Sequence, residues 1–266
     1  MLRFCSLASG SSGNATLIEA TDSAAARPVR LLVDCGLTLR QIKQRLCAAG
    51  VEIDDLDAIF ITHEHADHLG SALRLAVCAH IPIWASRGTW DGALAGTDEA
   101  LAQAVAPLMR IARDQTPIAI GALRVEPFTV PHDTREPLQL CAGDGARRLG
   151  ILTDLGHATP HAIGMLRGCQ ALLLESNHDP DLLERSGYPA FLKRRILGPH
   201  GHLSNAQALD VLAQLMHPAL AVAVAAHLSE RNNRPERVQA GWAPVLGCAP
   251  KDVPVTGRHG LGWMAV

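Results

Sequence analysis

The stretch Thr62-His63-Glu64-His65-Ala66-Asp67-His68 sets three histidines and an aspartate within six residues, directly after the apolar-rich run Leu56-Asp57-Ala58-Ile59-Phe60-Ile61. A short apolar run followed by polar residues reads as a buried strand leaving the core. Histidine ligates a metal through one ring nitrogen while the other is oriented by an acceptor, and a carboxylate adds the charge that holds a divalent cation. On an extended loop His63 and His65 can point the same way. Asp67 and His68 fall where the loop enters a helix, so they aim at a second point a few ångströms away. One stretch can thus serve two metals. A histidine-rich surface loop is a fair reading of any single residue here, but H-x-H-x-D-H at a strand exit is rare by chance.

Four ligands cannot complete two metal sites, so further His, Asp or Glu should stand at the ends of later strands. Val125 to Val130 is followed by His132, Gly150 to Thr153 by Asp154, and Ala221 to Ala226 by His227. For each residue alone, an ordinary polar group at a strand exit is an equally good account. Together they form the missing part of a shell.

The rest of the chain alternates strand and helix patterns. Leu2 to Leu7, Ala15 to Glu19 and Val29 to Val33 read as strands of an antiparallel start, joined by the Gly/Ser turn Ser9 to Asn14 and a looser Thr21 to Pro28 segment. Thr38 can cap a helix that Gly50 stops. After the strand Ala58 to Thr62 comes a helix over about His68 to Ala79, then a strand Pro82 to Ala85. Two helical pieces broken around Gly96 occupy Ser86 to Leu108. Strands follow at Ile118 to Ile120, Leu123 to Val130, Leu138 to Cys141 and Arg148 to Thr153. Helices at Pro160 to Leu166 and Asp179 to Leu197 flank the strand Ala171 to Leu174. A helix from Ser204 to Leu215, a strand Leu220 to Ala226 and a helix from Pro235 complete the pattern. No fixed-period repeat or low-complexity linker interrupts it. An α/β fold of two helix-covered sheets, in one domain over 1–266, is the expectation.

A net charge of −2 over 266 residues argues against a globally basic nucleic-acid binder, though not against a local basic patch. The seven cysteines are odd in number and form no C-x-x-C pair, which suits reduced thiols packed as small hydrophobes. No apolar leader stands at the N-terminus and no long uncharged apolar window occurs, so the expectation is a soluble, cytoplasmic protein without a membrane partner.

With His132, Asp154 and His227 at later strand ends, H-x-H-x-D-H at 63–68 resembles the metallo-β-lactamase fold superfamily. Asp34, in Leu31-Leu32-Val33-Asp34-Cys35-Gly36, matches that superfamily's early strand-end aspartate. "SGSSGNATLI", "TDLGHAT", "LLLESNHD", "LKRRILGPHGHLSN" and "AHLSERNNRPE" resemble its bacterial YycJ/WalJ-type branch, related to PhnP and tRNase Z. The resemblance implies a four-layer αββα sandwich with a dinuclear site at one edge. His63, His65 and His132 would hold one cation, Asp67, His68 and His227 the other, and Asp154 would bridge them, with Asp34 in support. Zinc, manganese or iron suits such a shell. Two divalent ions about 3.5–4 Å apart make a shared water available as hydroxide near neutral pH, and the generic outcome is hydrolysis.

His202-Leu203-Ser204 resembles the H-x-[ST] motif that supplies a histidine near the scissile phosphate in tRNase Z-like phosphodiesterases. An ordinary loop histidine and a helix N-cap serine are the alternative. His202 as proton donor and Asp67 are the candidate catalytic residues. His178, Ser204, Arg231, Asn232 and Arg234 are candidates for supporting or substrate contacts, and Lys193-Arg194-Arg195 is a second basic run that a solvated helix face explains equally well. His157, His161 and His200 fit either reading; His80, His217 and His259 read as structural. Aromatic residues make up 3% of the chain, so any nucleic acid is expected to be gripped by its backbone and end rather than by stacked bases. A phosphodiesterase or exonuclease on DNA or RNA is the leading expectation. A hydrolase of a small cyclic phosphodiester, thioester or lactam, and a metal-binding regulator without turnover, are the rivals. The sequence leaves the oligomeric state open.

Overall fold

The computed structural model describes residues 1–21 and 27–266, so part of the loose Thr21 to Pro28 segment lies outside the described residues. Among the described residues, thirteen strands form two sheets. In chain order they are β1 (Leu2–Ala8), β2 (Ala15–Ala20), β3 (Val29–Val33), β4 (Ala58–Phe60), β5 (Ile83–Ala85), β6 (Met109–Ile111), β7 (Ile118–Ile120), β8 (Leu123–Thr129), β9 (Leu138–Gly143), β10 (Arg148–Leu152), β11 (Ala171–Glu175), β12 (Val222–Ala226) and β13 (Leu261–Ala265). One sheet runs β13-β1-β2-β3-β4-β5-β6 and the other β12-β11-β10-β9-β8-β7.

Alternation within the strands sorts side chains into layers. Phe4, Leu31, Val33 and Phe60 of the first sheet meet Val125, Leu140, Ile151 and Leu173 of the second in an inter-sheet core. The opposite faces of the same strands, through Leu17, Leu32 and Ile59, pack on helices Leu39–Ala48 and Ala72–Ala79. On the second sheet, Leu152, Leu172 and Leu174 pack on helices Pro160–Leu166, Asn205–Leu215 and Pro235–Leu246. The result is the expected αββα layering. The inner strands β2, β4, β9 and β11 are buried along their whole length because each sheet is covered on both faces, which is why they read as apolar runs.

β1, β2 and β3 are antiparallel, as expected; β3-β4-β5-β6 and β10-β11-β12 are parallel. Parallel strands share one C-terminal edge, where α/β proteins place ligands. β6 and β13 escaped the sequence reading because each is an edge strand with a partly exposed face, which dilutes its apolar pattern. The helix expected over His68 to Ala79 is two pieces, Ala66–Leu69 and Ala72–Ala79, separated at Gly70 with φ 36°. Asp179 to Leu197 is likewise Pro180–Arg185 and Ala190–Leu197, parted before Pro189, whose ring disfavours helix in the residue ahead of it. All seven cysteines are free; Cys5, Cys35, Cys141 and Cys169 are buried, whereas Cys47, Cys78 and Cys248 are exposed, contrary to the packed reading. Among the described residues, no helix is long and apolar enough to cross a membrane.

Glu19 on β2 is buried and held between Arg3 at 2.6 Å and Arg30 at 2.8 Å. Burial pushes its carboxyl up, but the two guanidiniums outweigh burial and hold it below the ordinary range. A depressed folded-state value contributes stability above the unfolded value, near pH 4, and loses it as pH falls through the folded one. Glu19→Gln is therefore expected to cost about 2 kcal/mol at pH 7. The gap from wild type, measured by urea unfolding, should narrow steadily below pH 4.

Candidate metal centre

Strand ends build the site. Asp34 follows β3, Asp154 follows β10 and His227 follows β12, and all three have left-handed backbone, φ 60°, 56° and 53°. That conformation costs a non-glycine residue of the order of 1–3 kcal/mol and persists only where surrounding packing dictates it. Thr62 and His63 follow β4, and Glu175 is the last residue of β11. His132 leaves β8 on a loop, and the backbone of that loop is tied to the neighbouring one by Gly156 N–H donating to Pro131 O at 2.9 Å. Gly36 is required nearby, because a Cβ there would overlap the Asp67 carbonyl.

Three imidazoles converge first. His63 Nε2 lies 3.1 Å from His65 Nδ1, and His132 Nε2 lies 3.3 Å from the same atom. With metal–nitrogen bonds of 2.0–2.1 Å, the edge of a tetrahedral zinc shell is about 3.3 Å, so this spacing suits one cation. The outward nitrogens are engaged. Thr62 Oγ1 donates to Asp34 and faces His63 Nδ1 at 3.0 Å, while His132 Nδ1 donates to Gly201 O at 3.2 Å. Such partners leave the Nε2 lone pairs facing inward. Burial holds His63 well below the usual imidazole range and His132 at about 4, and also lowers His65. All three therefore remain neutral, the form that ligates.

The second group gathers Asp67, His68 and His227, with one ligand atom from each within 4.8 Å of the others. His68 Nδ1 donates to Asp34 at 2.8 Å, and its Nε2 lies 3.2 Å from Asp154. His227 Nδ1 reaches Glu175 at 3.1 Å, and its Nε2, 3.7 Å from Asp67, has no hydrogen-bond partner although buried. Asp154 Oδ2 is buried and likewise without one. Asp154 stands between the groups, with Oδ1 4.0 Å from His132 and 3.2 Å from His227. Burial alone would discharge His227, yet Asp154, Asp67 and Glu175 push it up to about 10. So much buried negative charge demands a cation. Three neutral imidazoles on one side, carboxylates gathered around His68 and His227 on the other, and orphaned inward atoms fit divalent metal.

The clusters floor a cleft of about 390 Å³, lined by Asp67, Asp154, His202 and His227 and, on the far wall, by Tyr188, Leu192, Arg195 and Ile196. Nδ1 of His202 donates to Glu175 at 2.7 Å, leaving the partly exposed ring edge on the cleft. Glu175 is fully buried and its other oxygen accepts from Leu155 N and Leu203 N, so it serves as a positioning carboxylate for two histidines. Its position as the closing residue of an all-apolar strand was the available signal, and sequence reasoning passed over it. Arg195, bonded to Asp133, was the less favoured basic candidate and is nevertheless in the cleft.

Other expected contacts are placed elsewhere. The Ser204 hydroxyl caps helix Asn205–Leu215 with Gln207, so the N-cap reading is correct and it does not face the cleft. His178 and Asn232 are buried, with unpartnered side chains, and do not line the cleft. Arg234 lines an adjoining cavity with Arg258, because it stands where the chain turns into helix Pro235–Leu246. Arg231 is exposed, with its guanidinium 5.8 Å from the Tyr188 ring centre at the cleft. His157 and His161 bond to Pro199 O and Asp114.

This combination of αββα layers and strand-end His/Asp clusters defines a class, and the chain belongs to it: residues 29–227 match the beta-lactamase superfamily domain, with the metallo-β-lactamase fold. Within it, the chain is 33% identical over 250 residues to exodeoxyribonuclease YycJ of Bacillus anthracis, covering 92% of this chain and 89% of that one. It is 30% identical over 231 residues to exodeoxyribonuclease WalJ of Streptococcus pneumoniae, covering 87% and 83%. In three dimensions it resembles Zn²⁺-bound PqqB of Methylobacterium extorquens, with TM-score 0.72 and 15% identity over 99% of this chain and 100% of that one.

Glu175→Gln tests the positioning role. It should weaken metal binding about 10–100-fold, as loss of such an orienting carboxylate typically does. Competition with a chromogenic chelator measures this, and unchanged affinity contradicts the role.

Proposed function

We propose that the chain is a single-domain metal-dependent phosphodiesterase, an exonuclease on nucleic acid, with His202 as the proton donor. The carrying observation is the Glu175–His202 pair, 2.7 Å apart, beside the two cation-fitting clusters. The identity with YycJ and WalJ over most of the chain supports nucleic acid as the substrate.

His63, His65 and His132 would hold one divalent ion, Asp67, His68 and His227 a second, and Asp154 would face both; zinc or manganese suits these donors. When bound, such ions supply Lewis acidity and water deprotonated near neutral pH. Asp67, at the cleft, helps position the attacking water. The ring of His202 faces the same cleft, where a departing ribose oxygen would gain a proton from it. Glu175 fixes the ring's orientation by accepting from its Nδ1. Arg195 is placed to contact phosphate oxygens, a task to which a guanidinium fork is suited.

Leaving-group dependence separates this role from a merely structural one. His202→Ala should slow cleavage of DNA by about 10²–10⁴. Bis-para-nitrophenyl phosphate, whose phenolate departs without a proton, should lose far less. Asp67→Ala and chelation should abolish both activities. Equal loss on both substrates would remove His202 as the acid. Absence of any metal-dependent phosphodiester cleavage, with turnover of a thioester instead, would remove the phosphodiesterase reading.

A further inference from the structure

The turn Ser9-Gly10-Ser11-Ser12-Gly13-Asn14 joins β1 to β2, which pair from Leu2 with Ala20 to Ala8 with Ala15. A hairpin closes with about two to five residues, so this turn is longer than its strands require. Its two ends reach the metal centre. At one end, Asn14 N–H donates to Asp67 O at 2.7 Å and Asn14 O accepts from Gly36 N–H at 2.9 Å, which holds the residue between the segments that follow β3 and β4. Gly13, with φ 137°, makes that approach possible, because a Cβ there would come within 2.6 Å of Gly36 O.

The Asn14 side chain is buried. Its Oδ1 accepts from Gly10 N–H at 2.8 Å, which decides the orientation of the amide. Nδ2 is thereby placed 3.2 Å from both Gly10 O and Asp67 O, 3.5 Å from Asp67 Oδ2 and 3.0 Å from His68 Nε2. Two of those atoms are candidate metal ligands. A cation on His68 takes the Nε2 lone pair, and the amide hydrogens then serve Asp67. A carboxylate free to rotate must be ordered when a cation arrives, which weakens binding, and a fixed amide beside it removes that cost.

At the other end, Ser9 Oγ accepts from the backbone N–H of His227 at 2.8 Å, and Ser9 N–H donates to Gly257 O at 3.0 Å. Asp67 and His68 belong to the first sheet's edge and His227 to the second's, so one turn spans the two halves of a single ligand group. Among the described residues it makes no hydrogen bond to His63, His65 or His132.

We propose that Asn14 and Ser9 are positioning residues for the cation held by Asp67, His68 and His227, and that the turn acts on that cation alone. This rests on the assignment of those three side chains to one ion.

The test is competition of full-length protein with a chromogenic chelator for zinc, which reads two affinities. Asp67→Ala and His132→Ala identify the affinity that belongs to each group. Asn14→Ala should weaken the one lost in Asp67→Ala by about 10–100-fold, the range for a partner behind a ligand, and leave the one lost in His132→Ala unchanged. Ser9→Ala removes one hydroxyl and keeps the turn's other bonds; it should weaken the same affinity about 10-fold, and it carries the test if Asn14→Ala does not fold. With cobalt in place of zinc, Asn14→Ala should alter only the visible absorption that Asp67→Ala removes, a signature that a general loss of stability does not produce. Equal weakening of both affinities, or unchanged affinity in either folded variant, overturns the positioning role while the ligand assignment stands. A single bound ion, or two affinities that Asp67→Ala leaves intact, removes the ligand assignment and the proposal with it.

Discussion

Two buried carboxylates hold the centre together. Asp34 accepts from the backbone N–H and hydroxyl of Thr62 and from His68, and Glu175 accepts from His202, His227 and two backbone amides. Asp34 belongs to the first sheet's edge and Glu175 to the second's. A buried carboxylate is costly unless its oxygens are satisfied. Each of these is satisfied partly by backbone and hydroxyl groups of its own sheet and partly by imidazoles of the site, so the packing of either sheet and the aim of the imidazoles are parts of one network.

The site divides by electrostatics. His63, His65 and His132 lie where burial dominates and keeps them neutral, whereas His68 and His227 lie where carboxylates dominate and draw positive charge. Neutral donors on one side and accumulated negative charge on the other give the site two unlike halves. Asp154, held well below the ordinary carboxylate range despite burial, stands between them. The strained φ angles at Asp34, Asp154 and His227 belong to the same arrangement, since each lies within two residues of its strand's end.

Legibility varied with the length scale of the signal. The metal-ligand candidates could be read because strand-end His and Asp residues interrupt apolar runs, and a composition change over two or three residues is visible locally. Strand order could be read only in outline; edge strands β6 and β13 were missed because half of each faces away from the core. Ser204 shows the opposite failure: its neighbourhood to His202 suggested a shared task, but the hydroxyl is consumed by its own helix. Arg234, three residues from Arg231, looks into a different cavity because a helix begins there.

By itself the sequence determined which residues can ligate, which strands deliver them and which family they belong to, because those properties follow from residue type and local order. Only the tertiary structure decided that Glu175 stands behind both His202 and His227, and that Arg195 rather than Arg234 enters the cleft. Those facts depend on which faces of distant elements meet once two sheets pack. Contacts such as Glu175 with His202, or Asp34 with His68, join residues 27 and 34 positions apart, and no local pattern encodes them.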